Sequence, residues 1–155
     1  MTTLVGLGLG AGLAPDEIAH LTARSIVPVS DNCHAVALDR RIVPLRRKYA
    51  SLIVDLAEDL DADEPLIRQA PVPRIETLWL LLSRCDVPEP LRPLTVSRLR
   101  ATRAHAALNA PIALPHIVAA YGVLSTAFIS PLLPSLLSAV NPDAIVADTS
   151  PLYDF

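Results

Sequence analysis

Arginine side chains recur in one segment of this 155-residue chain at spacings that would let them act together. Arg98, Arg100 and Arg103 follow the hydroxyl residue Thr95 within a few positions. An earlier basic cluster contains Arg40, Arg41, Arg46, Arg47 and Lys48. Guanidinium groups present a planar set of donors that fits phosphate oxygens, so the two clusters predict a phosphate-binding surface if the fold brings them to one face. The alternative is that they are solvated charges on helix surfaces.

The elements around the second cluster can be read from apolar spacing and helix breakers. A helix is predicted to begin at the capping hydroxyls of Thr95 and Ser97, with a buried side formed by Val96, Leu99, Ala106 and Ala107. Two shorter helices should follow, the first with Pro115 in its first turn and Gly122 at its end, the second between Ser125 and Pro131.

This order of elements resembles the C-terminal half of the catalytic domain of tyrosine recombinases, the phage integrase family. In that family an H-x-L-R-x-T helix is followed by an N-A-G-like turn, a helix ending in L-G-H, an L-S-T element and then the tyrosine nucleophile. The corresponding segments here are Arg98-Leu99-Arg100-Ala101-Thr102, Asn109-Ala110-Pro111, Tyr121-Gly122 and Leu124-Ser125-Thr126.

The N-terminal half resembles the same family. The family's G-x-G-L-R-x-x-E-x-x-x-L segment is matched in register by Gly10, Gly12, Leu13, Glu17 and Leu21, and its R-x-V-P-L strand by residues 41–45. Its D-E-P-L-F connection is similar to residues 63–67. The resemblance runs from about Leu4 to Leu137, and it implies an integrase catalytic-domain-like fold that is mostly α with a small antiparallel β-sheet (α+β).

Most of the catalytic positions that the resemblance implies hold other residues. Ala14 stands at the first arginine, Ser97 and Val123 at the two histidines, and Ser130 at the nucleophilic tyrosine, so only Arg100 remains. The turn that carries a lysine in the family is shortened, and whether Arg40 replaces that lysine is open. These losses remove the covalent step and most of the phosphate clamp, so we do not expect an enzyme.

Two other nucleophiles are less favoured. Ser130 would need a nearby base, and both aligned histidines are gone. Tyr153, far along the chain, would have to act in a neighbouring subunit. Tyr49 and Tyr121 are more simply interpreted as residues at the edge of the core.

The rest of the chain predicts the elements that must position these residues. Short helices are expected at Leu4–Leu9 and from Pro15, and strands at 26–27, 35–38 and 42–43. The amphipathic helix 46–60 should bury Tyr49, Leu52, Ile53, Leu56 and Leu60, and the helix 74–85 should turn Ile75, Leu78, Trp79 and Leu82 inward. We expect one domain over 1–140, with an apolar last helix at Leu132–Val140, and a tail over 141–155.

The composition argues against several classes of function. The formal net charge is -3, which argues against a surface that is basic throughout. The cysteines, Cys33 and Cys85, and four scattered histidines show no metal-ligand spacing, so neither a metal nor a cofactor is expected and a reducing, cytoplasmic setting is the default. Prolines leave no apolar run long enough to span a bilayer.

Two functional hypotheses follow from the sequence. The first is a catalytically inactive recombinase-like protein, without the family's N-terminal DNA-clamping domain, that binds DNA or assists a recombinase. The second is a protein–protein interaction module on a decayed recombinase fold, without DNA binding. In that second case Leu132–Val140 would contact a second copy or a recombinase partner.

Overall fold

The computed structural model describes residues 2–31, 33–67, 75–111, 113–121, 130 and 134. The described residues form six α-helices and three β-strands, together with two short 3-10 helices at Ala23–Ser25 and Glu89–Leu91. The α-helices and β-strands are α1 (Thr2–Gly10), α2 (Pro15–Ala19), β1 (Ile26–Ser30), β2 (Cys33–Leu38), β3 (Arg41–Leu45), α3 (Arg47–Glu58), α4 (Ile75–Ser83), α5 (Val96–Leu108) and α6 (Leu114–Tyr121). The predicted α+β class, mostly helical with a small antiparallel sheet, is confirmed.

Helix α1 lies at the centre because small residues on two of its sides let neighbouring helices approach closely. Gly6 faces Ile53 of α3, and Gly8 faces Leu99 of α5. A Cβ atom on Gly8 would lie only 2.7 Å from the Leu99 Cβ, so the α1–α5 approach requires glycine at this position. Leu4 and Leu7 of the same helix have no exposed surface, which explains why α1 carries apolar residues rather than a polar face.

The three strands form one antiparallel sheet in the order β1-β2-β3. Residues Ile26 and Val43 both pair with Val36 of the central strand, whose side chain is fully buried. The sheet is half-buried, with exposed residues such as Ile42 on its other side. Strand β3 ends at Leu45 and leads directly into α3, so the sheet fixes where that helix begins.

Helix α5 begins where the sequence predicts. Thr95 is its N-cap, and the Thr95 hydroxyl accepts a hydrogen bond from the Arg98 amide at 3.2 Å. A small second core joins α5 to α6 and contains Ala104, Ala107, Ile117 and Tyr121.

Several side chains predicted to be buried are exposed. Trp79 is 61% exposed and Ile75 44%, because α4 buries Leu78, Leu81 and Leu82 and Trp79 lies about 100° around the helix from Leu78. Leu52 is 41% exposed beside the fully buried Ile53. In α5, Ala104 is buried in place of Ala106.

Other predictions lie outside the described residues. They are the end of α6 at Gly122, the short helix after Ser125, the helix Leu132–Val140 and the tail 141–155. Among the helices that are described, none has both the length and the apolar character needed to cross a bilayer.

Candidate nucleic-acid interface

The candidate site is built around the turn between α1 and α2. Gly12 has a φ of +70°, a left-handed conformation that glycine adopts without strain. A Cβ atom at Gly12 would lie 2.5 Å from Cε1 of Tyr121 and 3.1 Å from Cγ of Arg103. Tyr121, from the end of α6, and Arg103, from α5, therefore both contact this turn, and they can do so only because residue 12 has no side chain.

Two arginines of α5 donate hydrogen bonds to carbonyl oxygens around this turn. Arg100 Nη2 donates to the Tyr121 carbonyl at 2.9 Å, which joins α5 to the end of α6. Arg103 Nε donates to the Gly10 carbonyl at 3.3 Å, which joins α5 to the end of α1. Both arginines are half-buried, whereas Arg98 on the same helix is exposed.

The start of α3 meets the same turn. The Arg46 amide donates to the Gly10 carbonyl at 3.1 Å, so Arg46 and Arg103 share one acceptor. Arg46, Arg47 and Lys48 are exposed, and the first turn of this helix contains no acidic residue. We call Arg46, Arg100, Arg103, Tyr121 and the turn Gly10–Gly12 the arginine corner. It brings residues from both predicted basic clusters to one place.

The phenol of Tyr121 is buried within this corner. Its side chain is 3% exposed, and Oη has no hydrogen-bond partner in the described part of the chain. Burial raises the pKa of the Tyr121 hydroxyl, while the charges of Arg103, Arg100 and Arg46 act to lower it. The hydroxyl therefore keeps its proton at neutral pH and can donate a hydrogen bond.

Arg41 has a different environment. Its guanidinium pairs with the Glu17 carboxylate, and both side chains are mostly buried, at 17% and 21% exposure. The second Glu17 oxygen accepts a hydrogen bond from the Ala14 amide at 2.7 Å. Glu17 thus fixes the start of α2 to β3, and it holds the backbone of Ala14, the position aligned with the family's first arginine.

A polar cavity of about 430 Å³ lies beside this ion pair. Acidic residues Asp16, Glu17 and Asp39 line it together with Arg40 and Arg41. Arg40 itself is exposed in the turn between β2 and β3. Because three carboxylates face this cavity, it is less suited to a phosphate than the arginine corner is.

The remaining predicted residues do not enter the corner. Arg98 Nη1 donates to the carbonyls of Leu91 and Pro93, both at 3.0 Å, and Arg47 contacts Cys33 Sγ at 3.6 Å. Ser97 and Ser130 are exposed. Val123 lies outside the described residues. No group of three histidine, cysteine or acidic side chains in the described ranges is close enough to hold a metal ion.

Sequence reasoning missed the position of Tyr121. It placed this residue at the edge of the core, whereas the phenol is buried among arginines of two helices. The available signal was Gly12: a glycine between two apolar segments indicates either a turn or a close approach by another side chain. Nothing in the sequence shows that the approaching side chain is Tyr121.

Comparison with known proteins supports the fold. No family model and no curated protein sequence matches this chain. Among solved structures, the crystal structure of XerA recombinase is similar, with a TM-score of 0.60 and 18% sequence identity. The similarity covers 96% of this chain and 56% of the XerA chain. The chain therefore has a recombinase-like fold, mostly helical with a small antiparallel sheet, and spans little more than half the length of that recombinase.

Proposed function

We propose that this chain is a recombinase-related domain that binds the phosphate backbone of DNA and does not cleave it. The observation that carries the proposal is the arginine corner, where residues far apart in the sequence bring Arg46, Arg100 and Arg103 around one turn. The similarity of the fold to that of a recombinase supports DNA as the ligand. Because the net charge is -3, any attraction to DNA must come from a local basic surface rather than from the protein as a whole.

The proposed contacts are backbone contacts, which position a duplex without reading its sequence. We assign them to Arg46, Arg100 and Arg103, with Arg40, Arg47, Lys48 and Arg98 as exposed charges near them in the chain. Arg41, whose charge is balanced by Glu17, is assigned a positioning role. Ala14 and Ser97 offer neither a cation nor an imidazole, so strand cleavage is not part of the proposal.

Fluorescence anisotropy of a labelled duplex across a salt series tests this proposal. The parent protein should bind with a log K that falls linearly with log salt, and Arg100→Ala should weaken binding about tenfold. Circular dichroism must show that the variant is folded, because Arg100 also bonds the Tyr121 carbonyl. Supercoiled plasmid should remain intact with both proteins. A parent that fails to bind at low salt would refute the proposal, as would plasmid nicking by the parent.

A second candidate function is protein interaction through α4. Trp79, Leu80 and Ile75 are 61%, 53% and 44% exposed on this helix. Large exposed apolar side chains that lie together are typical of contact surfaces. Sedimentation velocity across a protein concentration series should detect self-association that Trp79→Ser abolishes. A parent that stays monomeric at high concentration would rule out a contact between copies.

A further inference from the structure

We infer that the start of α3 and the arginine corner form a site for a single DNA phosphate, in which Arg46 and Arg103 supply positive charge and the Tyr121 hydroxyl supplies a neutral hydrogen bond. This inference rests on the proposed function and assigns residues to it. None of the three stands at a position where the family resemblance places a catalytic residue.

The first reason is the charge pattern of α3. The positive end of a helix dipole favours acidic side chains, yet this 12-residue helix has Arg46 as its N-cap and Arg47 and Lys48 as its first two residues. Arg46 is the N-cap residue and forms no side-chain cap. The first amides of a helix have no acceptor within the helix, so an anion would be stabilised both by these amides and by the three cations.

The second reason is the hydroxyl of Tyr121, which has no hydrogen-bond partner among the described residues. A buried hydroxyl without a hydrogen-bond partner is destabilising, so a phenylalanine would be the more stable residue if only packing mattered. Oη lies beside Gly12, on the side where Arg103 also contacts this turn. The hydroxyl is therefore an available donor next to an arginine, within the described part of the chain.

The Gly10 carbonyl connects these two features. It accepts hydrogen bonds from the Arg46 amide and from Arg103 Nε, so the start of α3 and the Arg103 side chain converge on one oxygen. The Arg103 bond is long, at 3.3 Å, and its acceptor is neutral. A phosphate oxygen is a stronger acceptor for a guanidinium than a carbonyl is. Arg103 can exchange the Gly10 carbonyl for a phosphate oxygen, and the Tyr121 hydroxyl lies beside the same turn, next to Gly12.

The resulting site would restore part of what the chain lacks. Ala14 cannot bind an oxyanion, and Val123 has no donor in its side chain. Arg46 and Arg103 would supply two cations from other positions, and Tyr121, two residues before Val123, would supply a donor. The phosphate would be held while no nucleophile is aligned with it, which fits binding without cleavage.

The salt dependence of duplex binding separates charged from neutral contacts. Arg46→Gln and Arg103→Gln should each reduce the slope of log K against log salt by about one, because each removes one phosphate-neutralising charge. Tyr121→Phe should weaken binding about three- to tenfold at every salt concentration with no change in slope, since it removes a neutral hydrogen bond. Arg84→Gln is the matched control, because Arg84 is exposed just after α4, and it should bind like the parent.

The outcomes distinguish this inference from the proposed function. If the parent protein does not bind DNA, the proposed function fails and this inference fails with it. If the parent binds and Arg100→Ala weakens binding, but Arg46→Gln and Arg103→Gln resemble Arg84→Gln, DNA binding stands and the assignment of a phosphate to Arg46 and Arg103 is wrong. Tyr121→Phe should unfold at the same temperature as the parent or a higher one. A lower unfolding temperature with unchanged DNA affinity would show that the hydroxyl has a structural partner, and would overturn its role.

Discussion

Arg41 and Arg103 are both half-buried arginines, and they differ in the groups that accept their hydrogen bonds. Arg41 pairs with the Glu17 carboxylate, and further acidic residues, Asp16 and Asp39, line the adjacent cavity. Arg103 donates to the neutral Gly10 carbonyl, and the structure describes no carboxylate paired with it. The charge of Arg41 is therefore balanced within the fold, while that of Arg103 remains available to an anion.

This difference shows that counting basic residues is a poor guide to a phosphate site. Both arginines belong to clusters that the sequence marks equally. We propose that their acceptors decide their roles: a carboxylate balances the charge of an arginine, whereas a carbonyl only orients its guanidinium. The predictions below test this distinction, beginning with the largest expected effect.

Gly12→Ala should disrupt the packing of Tyr121 and Arg103 against the α1–α2 turn. Alanine is strained at a φ of +70°, and its Cβ would lie 2.5 Å from the Tyr121 ring. We expect a loss of about 2–4 kcal/mol in the free energy of unfolding, measured with urea. Gly6→Ala is the control, because its Cβ would meet the flexible Cδ1 of Ile53 at 3.2 Å, and it should change stability by less than about 1 kcal/mol. Equal effects of the two substitutions would contradict the packing described for Tyr121.

Glu17→Gln should release the charge of Arg41. Glutamine retains an acceptor for the Ala14 amide but loses the ion pair, so stability should fall by about 1–3 kcal/mol. The salt slope of DNA binding should become steeper than that of the parent, because one more arginine is unbalanced. An unchanged slope despite the lost stability would mean that Arg41 lies too far from the bound duplex for its charge to matter.

Alkaline pH should destabilise the corner through Tyr121. Its pKa is raised by burial above the ordinary value of 10.0, so the folded state holds a proton that the unfolded state releases. The stability associated with this proton is fully present below pH 10 and is lost as the pH rises through the pKa of the folded state. Urea unfolding between pH 9 and pH 11 should show a steeper loss for the parent than for Tyr121→Phe. Parallel curves would place the phenol in contact with solvent.

The sequence predicts the elements of this fold well and its site less well. Proline and hydroxyl residues at helix starts, together with strand-forming runs, correctly located α2, the three strands and α5, because these signals are local. The exposure of Trp79 and Leu52 could not be predicted, since it depends on which side of an apolar helix finds a neighbour. Arg46, Arg103 and Tyr121 converge because α3, α5 and α6 meet at one turn. No local sequence pattern indicates such a long-range contact.

The central claim is that Arg103, which donates to a backbone carbonyl, binds DNA, whereas Arg41, which pairs with a carboxylate, stabilises the fold. The most direct test compares Arg103→Gln with Arg41→Gln, using the salt dependence of duplex binding and the free energy of unfolding for each. The account predicts that Arg103→Gln lowers the salt slope by about one with little loss of stability, while Arg41→Gln lowers stability and leaves the slope unchanged. Equal slopes for the two variants, or the reverse assignment, would contradict it.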